Sequence, residues 1–271
     1  MLNRKILPSS EPCLYFNNRG LIFGDAFCFE LRGNSSKAFF LKDNYQYLIN
    51  TAESLSMKLP EKYKDFCLET DLELLLQKNR IYKEFCARIT VFRNVDDDFS
   101  SILISVETLP DEYYGLNETG LKLELCTDYK IPQSLLKSKD YFTPIKEIQL
   151  KRRQQNNDID NLFITDENDN IIKTCDCNVF FVKDNNVFVP KEFAEDKNKM
   201  FSEHILKIIS ELNLKYFRID IKPKDLKDID EIFIANQVRG INWVLAYKDK
   251  RFFRKLSPKV VEMLNYKLQN H

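Results

Sequence analysis

The chain has 271 residues, which is enough for about two domains at ~150 residues each. Its 41 basic and 41 acidic residues cancel, so no global positive field would attract a nucleic acid or an anionic membrane. It has six glycines where the usual ~7% would give roughly 19, and none have the spacing of a G-x-G-x-x-G or Walker loop. Only His204 and His271 are present, which excludes a His-x-x-x-His zinc site and disfavours a Ser-His-Asp triad. Any chemistry must therefore depend on lysine, tyrosine, carboxylates or a cofactor.

The composition also predicts a cytoplasmic protein that neither enters a membrane nor holds a metal. The first ten residues are polar and basic, without the apolar segment of a signal peptide, and no apolar run approaches the ~18 residues of a membrane helix. The seven cysteines are scattered, and Cys175 and Cys177 lie too close together for the usual zinc spacing and lack a second pair. We therefore predict reduced, mostly buried thiols.

Hydrophobic periodicity predicts a small N-terminal α/β domain over residues 1–113. The alternation of large and small side chains over 21–32 indicates a strand, which we expect to pair with 13–18 through a turn near 17–20. Asp43 is a candidate N-cap for the helix that follows. The remaining predicted elements are a helix over 61–79 and strands over 84–93 and 101–109.

Pro110, Gly115 and Gly120 indicate a linker, which we place at 114–120, before a larger domain over 121–271. The strands predicted there are 121–127, 161–166, 170–174, 177–183, 186–190, 215–221, 231–236 and 242–248. Helices are predicted at 197–213 and 257–268. The fold class is therefore α+β, with sheets that are antiparallel or mixed.

Six segments resemble, in chain order, the motifs of class IV (fold-type IV) pyridoxal-phosphate (PLP) enzymes. That family contains branched-chain aminotransferases, D-amino acid aminotransferases and aminodeoxychorismate lyases. The segments are 18–32 (family R-G-x-x-x-G-D-G-x-F-E), 41–48 (L-x-x-H-x-x-R-L), 87–93 (R-I-x-V-x-R), 137–142 (K-T-x-N-x-L), 178–190 (N-I-F-x-V-K-D-G) and 230–241 (D-E-x-F-L-T-N-A-x-x-G-I). The resemblance implies a two-domain D-amino acid aminotransferase-like fold, a barrel-like C-terminal domain, PLP between the domains and a homodimer. The short length and the C-terminal segment look most like aminodeoxychorismate lyases.

The resemblance also implies site residues. Lys137 aligns best with the Schiff-base lysine, and Lys139 is the alternative because its distance to Asn178 fits slightly better. The phosphate positions that the resemblance implies fall on Lys199, Ser202, Asn236 and Gln237.

Two further positions depart from the family pattern in charge. The family's phosphate-binding arginine falls on Tyr47, whose hydroxyl supplies no charge. The glutamate that keeps the cofactor's ring nitrogen protonated falls on Lys173, which has the opposite sign. These departures favour a homologue that is non-catalytic or independent of PLP. The alternative is an active PLP-dependent lyase or transaminase that uses Lys137 on an amino acid or chorismate-derived substrate, with Lys173 or Lys199 supplying the phosphate charge.

Overall fold

The computed structural model describes residues 1–12, 14–35, 37–63, 67–94, 99–110, 113–131, 148–150, 152, 159–191 and 198–270. They form two compact units, Met1–Tyr113 and Tyr114–His271. Within the described ranges, no helix is both long and apolar enough to cross a membrane.

The N-terminal unit combines a four-stranded antiparallel sheet with helices. Its elements are α1 (Arg19–Phe23), β1 (Ala26–Asn34), β2 (Lys37–Ala38), α2 (Leu41–Ser54), α3 (Leu68–Asn79), β3 (Phe85–Arg93) and β4 (Ser100–Thr108). The strand order is β2-β1-β3-β4. Along β1, Phe27, Phe29 and Leu31 are buried while Cys28 between them is exposed. This alternation confirms the bulky strand face that the sequence predicts.

The antiparallel strand pair predicted for residues 13–18 and 21–32 is wrong. Residues 19–23 form the short helix α1, because the Asn18 side chain accepts the Leu21 N–H at 3.1 Å and Gly24 ends the helix in the left-handed region, at φ 67°. Strand β1 begins only at Ala26, and among the described residues it pairs with β2 and β3.

The C-terminal unit is built on one mixed nine-stranded sheet. Its elements are β5 (Leu121–Ile131), β6 (Asn161–Asp166), β7 (Ile171–Thr174), β8 (Asn178–Lys183), β9 (Asn186–Pro190), α4 (Lys199–Glu211), β10 (Tyr216–Ile219), β11 (Glu231–Asn236), β12 (Gly240–Tyr247), β13 (Lys250–Arg251) and α5 (Ser257–Gln269). The strand order is β10-β9-β8-β11-β12-β5-β6-β7, and β13 pairs with β12.

This sheet curls, so that its edge strand β7 approaches β8, which lies inside the sheet. The Thr174 N–H at the end of β7 donates to the Cys177 carbonyl beside β8, at 2.8 Å. Aromatic side chains fill the interior, with Phe163 packed against Phe181 and Tyr247. The curl places the short β7–β8 turn, residues 175–177, against the elements that carry the candidate site.

Candidate functional site

Helix α4 begins at a point fixed by Asn198. The helix buries the apolar stripe that includes Phe201, Ile205 and Ile209, as its periodicity predicts. The Asn198 side chain does not cap its own helix. Its Oδ1 instead accepts the Gln237 N–H at 3.2 Å, and its Nδ2 donates to the Asp176 carbonyl at 2.9 Å. One asparagine thus joins the start of α4 to two separate turns.

The β11–β12 turn is shaped by Asn236. Its side-chain oxygen accepts the N–H groups of Val238 at 2.9 Å and Arg239 at 3.1 Å, which is the local pattern that favours asparagine in turns. Gly240 closes the turn at φ 76°, where a Cβ would lie 2.5 Å from a ring carbon of Tyr114. Only glycine satisfies both conditions.

Asp176, in the β7–β8 turn, lies at the centre of the cluster. Its carbonyl accepts from the side-chain amides of Asn198 and Asn236, the second at 2.8 Å. Its carboxylate is only 6% exposed, accepts from Asn161 Nδ2 at 3.2 Å and forms an ion pair with Arg239 Nη2. A buried carboxylate is stable only when paired and hydrogen-bonded in this way. We call residues 176, 198, 236, 237 and 239 the Asp176 cluster.

Two thiols flank this carboxylate. Burial, reinforced by the Asp176 charge, raises the pKa of Cys175 to about 12, and the same causes raise the pKa of Cys177. Arg239 Nη2 donates to Cys177 Sγ at 3.4 Å. Because the thiolate is the reactive form, neither cysteine is suited to act as a nucleophile at neutral pH.

A fully buried amide–hydroxyl contact ties α4 to the sheet. Asn178 Nδ2 donates to Ser202 Oγ at 2.9 Å, and both residues have no exposed surface. Among the described residues, Asn178 Oδ1 has no hydrogen-bond partner. The hydroxyl of Ser202, in the first turn of α4, therefore has a hydrogen-bond partner in strand β8.

The structure brings four of the residues singled out in the sequence to one place. Lys199 and Ser202 lie in the first turn of α4, and Asn236 and Gln237 meet that turn through Asn198. Lys173 is buried in β7, opposite Ile164 of β6 and three residues before Asp176.

The other candidates belong to the N-terminal unit or fall outside the described residues. Tyr47 belongs to α2 of the N-terminal unit, where its ring packs edge-on against Phe29 with centroids 5.3 Å apart. Lys137 and Lys139 fall outside the described residues. No group of three His, Cys, Asp or Glu side chains in the described ranges is placed to hold a metal ion.

Sequence reasoning missed Asp176, Asn198 and Arg239. Asn198 could have been noticed, since asparagine directly before an apolar helical stripe is a common start signal. Asp176 lies between Cys175 and Cys177, and the sequence analysis considered this segment only for its cysteine spacing. Arg239 has no local signal, because its partner lies 63 residues away in sequence.

Comparisons with known proteins agree with this architecture. The family described as amino-transferase class IV matches residues 28–247. A Methanocaldococcus jannaschii protein that carries the name of a branched-chain-amino-acid aminotransferase is 23% identical over 259 residues, covering 89% of this chain and 84% of its own. An aminodeoxychorismate lyase of Vibrio harveyi is 23% identical over 140 residues, which is 52% of each chain.

Solved structures share the fold at lower sequence identity. The branched-chain aminotransferase of Thermoproteus uzoniensis, solved with norvaline, has a TM-score of 0.87 at 14% identity, covering 100% of this chain and 94% of that one. A Legionella pneumophila protein that carries the name of a 4-amino-4-deoxychorismate lyase has a TM-score of 0.83 at 16% identity, covering 95% and 96%. These matches confirm the α+β, D-amino acid aminotransferase-like fold. Because the family match spans well over half of its length, the chain belongs to the class IV aminotransferase family.

Proposed function

We propose that this chain is a class IV family member, most like the aminodeoxychorismate lyases, that does not use PLP as a catalytic cofactor. It keeps the family's fold and acts as a binding or scaffold protein, or on a ligand other than PLP. The observation that carries the proposal is the position of Asp176, whose carbonyl already takes the side-chain amides of Asn198 and Asn236.

The contacts of the described residues support the proposal that the phosphate of PLP is not bound at this cluster. A phosphate needs donors that are free to turn toward it, together with positive charge. Here the Asn236 amide and the Gln237 N–H donate to neighbouring protein atoms. The buried Asp176 carboxylate adds negative charge to the same cluster and uses the nearby Arg239 as its own counter-ion. A phosphate would have to displace these contacts and repel that carboxylate.

Lys173 supports the same conclusion from a second position. The resemblance expects there a carboxylate that stabilises a protonated ring nitrogen. An 8%-exposed lysine in β7 has the opposite sign and would disfavour the protonated ring. The electron-withdrawing function of the cofactor depends on that protonation.

The alternative is an active PLP-dependent lyase or transaminase in which Lys137 or Lys139 forms the imine. It is supported by the relatives, which carry enzyme names. Two branched-chain aminotransferase structures of the same fold, solved with N-(5'-phosphopyridoxyl)-L-glutamate and with pyridoxamine 5'-phosphate, support it as well.

Borohydride reduction separates the two functions. The protein is purified in the presence of PLP, reduced with sodium borohydride, digested and mapped by mass spectrometry, with Lys137→Ala and Lys139→Ala variants alongside. The proposal predicts no stoichiometric phosphopyridoxyl label at either lysine. A stoichiometric label that disappears in only one of the two variants would establish the enzyme and identify its lysine.

We also propose that the protein is a cytoplasmic homodimer. The homodimer is an implication of the family resemblance, and light scattering after size-exclusion chromatography tests it. Five of the six described cysteines are buried, as expected of thiols in a reducing compartment.

A further inference from the structure

The β12–β13 hairpin and the start of α5 carry a local excess of positive charge. Residues 248–259 contain six basic side chains and one acidic side chain, that of Asp249. Subtracting them from the whole-chain counts of 41 and 41 leaves 35 basic and 40 acidic residues elsewhere. The zero net charge of the chain therefore conceals this excess. We call its six cations the basic hairpin surface: Lys248, Lys250, Arg251, Arg254, Lys255 and Lys259.

Main-chain hydrogen bonds hold this surface in a defined shape. Strand β13 pairs antiparallel with the end of β12. The Phe252 N–H donates to the Leu245 carbonyl at 2.9 Å. The next N–H, that of Phe253, donates to the Asp230 carbonyl at 3.1 Å. Because the backbone that carries the cations is already ordered, less conformational entropy is lost when a partner binds to it.

Three of the cations lie over aromatic rings. The distances from the cation to the ring centroid are 5.5 Å for Lys248 over Tyr247, 5.9 Å for Lys250 over Phe252 and 5.7 Å for Arg254 over Trp243. A ring face attracts a cation through its quadrupole and leaves the net charge of the cation in place. These contacts therefore position positive charge without neutralising it.

Carboxylates of the protein do not neutralise this charge either. Lys130, Arg218 and Lys267, which belong to the same unit, each form an ion pair, at 2.6, 2.7 and 2.7 Å. None of the ion pairs between described residues includes a cation of the basic hairpin surface. Five of its six cations are exposed, and Lys250 is half-buried. The surface can therefore offer its charges to an acidic partner.

A large apolar side chain lies among these charges. Phe253 is 67% exposed, while Phe252 before it is buried in the core. Its neighbours in the chain on the other side are the cations Arg254 and Lys255. Covering an exposed aromatic ring is favourable because apolar area leaves water. The surface thus combines several positive charges with one apolar contact point.

We propose that the basic hairpin surface docks an acidic segment of a partner protein, and that an apolar side chain of this segment covers Phe253. The carboxylates of the segment supply the counter-charges that the protein itself does not provide. Recognition of acidic motifs by clustered basic side chains is a general mode of peptide binding. The inference goes beyond the proposed function, because it does not depend on whether a lysine binds PLP.

The charge on the rest of the chain favours a short acidic segment over a long polyanion. A nucleic acid or an anionic membrane extends beyond the basic hairpin surface and meets the remainder of the chain, where acidic residues outnumber basic ones by 40 to 35. A short segment meets the basic hairpin surface alone, because exposed charges farther apart than about 8 Å are largely screened at physiological ionic strength.

The test measures binding of a fluorescent peptide to the full-length protein by anisotropy. The probe is a short peptide of glutamate pairs separated by leucines, and the matched probe has glutamine in place of every glutamate. We expect the glutamate peptide to bind saturably, the glutamine peptide to bind at least about 10-fold more weakly, and added salt to weaken the glutamate complex. Phosphatidylserine vesicles and a single-stranded oligonucleotide test the two other polyanions.

Two variants separate charge from apolar contact. Lys250→Gln/Arg251→Gln/Arg254→Gln should lower the affinity for the glutamate peptide at least about 10-fold, since three counter-charges are lost. Phe253→Ser should lower it about 5-fold and leave its dependence on salt unchanged. Because all four positions are exposed or half-buried, both variants should fold, and circular dichroism checks this.

The matched control removes three exposed lysines of the N-terminal unit, as Lys42→Gln/Lys78→Gln/Lys83→Gln. It changes the net charge of the chain by the same amount and should keep full affinity for the glutamate peptide. Equal binding of the two peptides, full affinity in the hairpin variant, or an equal loss in the control would each overturn the proposal. Tighter binding of the vesicles or of the oligonucleotide than of the glutamate peptide would overturn it as well. A borohydride label at Lys137 would leave it intact.

Discussion

The side-chain amide of Asn236 donates a 2.8 Å hydrogen bond to the main-chain carbonyl of Asp176, 60 residues earlier in the chain. Asn198 donates to the same carbonyl from the start of α4. Both acceptor positions of this oxygen are therefore used, and three distant segments converge on one main-chain atom. The convergence gives the Asp176 cluster a structural role that a cofactor phosphate would have to disrupt.

Replacing Asn236 by alanine should destabilise the protein. The substitution removes one bond to Asp176 and leaves the N–H groups of Val238 and Arg239 without their acceptor. We expect the free energy of unfolding to fall by about 2–3 kcal/mol, because each lost hydrogen bond at a partly buried site costs about 1 kcal/mol. Urea denaturation measures the change. The exposed Asn50→Ala in α2 is the control and should change stability by less than about 0.5 kcal/mol. Equal stabilities of the two variants would contradict this role for Asn236.

The Asp176–Arg239 pair predicts non-additive mutational effects. Arg239→Gln leaves the 6%-exposed carboxylate without its cation, which should cost about 2 kcal/mol of unfolding free energy. Adding Asp176→Asn removes the uncompensated charge and keeps the main-chain carbonyl, so the double variant should regain at least about 1 kcal/mol. Thermal or urea denaturation of both variants checks whether the double variant is the more stable of the two. A double variant less stable than Arg239→Gln alone would show that the pair is not coupled in this way.

Hydrophobic periodicity was sufficient to predict the elements whose buried residues recur at a regular spacing. The Phe201–Ile205–Ile209 stripe predicts α4, and the Phe27–Phe29–Leu31 alternation predicts the buried face of β1. The pairing predicted for residues 13–18 failed because apolar character was taken as a sign of burial. Leu21, at 65% exposed, shows that an apolar residue can lie in a surface helix set by its Asn18 cap.

The candidate site was only partly predictable, for a different physical reason. Asn236 lies within the 230–241 motif, whose local order also predicts the turn that its side chain shapes. Asp176 and Arg239 act through contacts that span 63 residues, and local pattern carries no information on such distances. Folding of the β7–β8 and β11–β12 turns onto one another creates the pair.

Glu231 supports a third prediction, at the other end of β11. Its carboxylate is 1% exposed and accepts the N–H groups of Lys255 at 2.8 Å, Leu256 at 2.6 Å and Ser257 at 2.9 Å, which lie at the start of α5. Glu231→Gln should lower the unfolding free energy by about 2 kcal/mol, because it replaces a charge-assisted acceptor at a helix N-terminus with a neutral amide.

The matched control is Glu262→Gln on the exposed side of α5, where we expect a change below about 0.5 kcal/mol. Chemical denaturation of both variants gives the comparison. An unchanged midpoint in Glu231→Gln would remove this carboxylate from the account of how α5 is anchored.

Buried thiols predict a loss of stability in alkaline solution. Burial raises the pKa of Cys86 and of Cys175 from 9.0 to about 12. Between these values the unfolded chain releases the thiol protons while the folded chain retains them, so the folded state binds more protons. The unfolding free energy should therefore fall as pH rises from about 9 to about 12.

Denaturation across that pH range tests whether the unfolding free energy falls as the pH rises. The Cys86→Ala/Cys175→Ala variant isolates the contribution of the two thiols. Its stability should fall less steeply over the same range, whatever its absolute stability at neutral pH. An identical slope in both proteins would rule out the thiols as the source.

Titration of the purified protein with PLP, followed by visible absorption, tests the central claim most directly. The account predicts no saturable band of a protein-bound cofactor, because Asp176 already engages the amides of Asn198 and Asn236. A saturable band with one PLP per chain would contradict it.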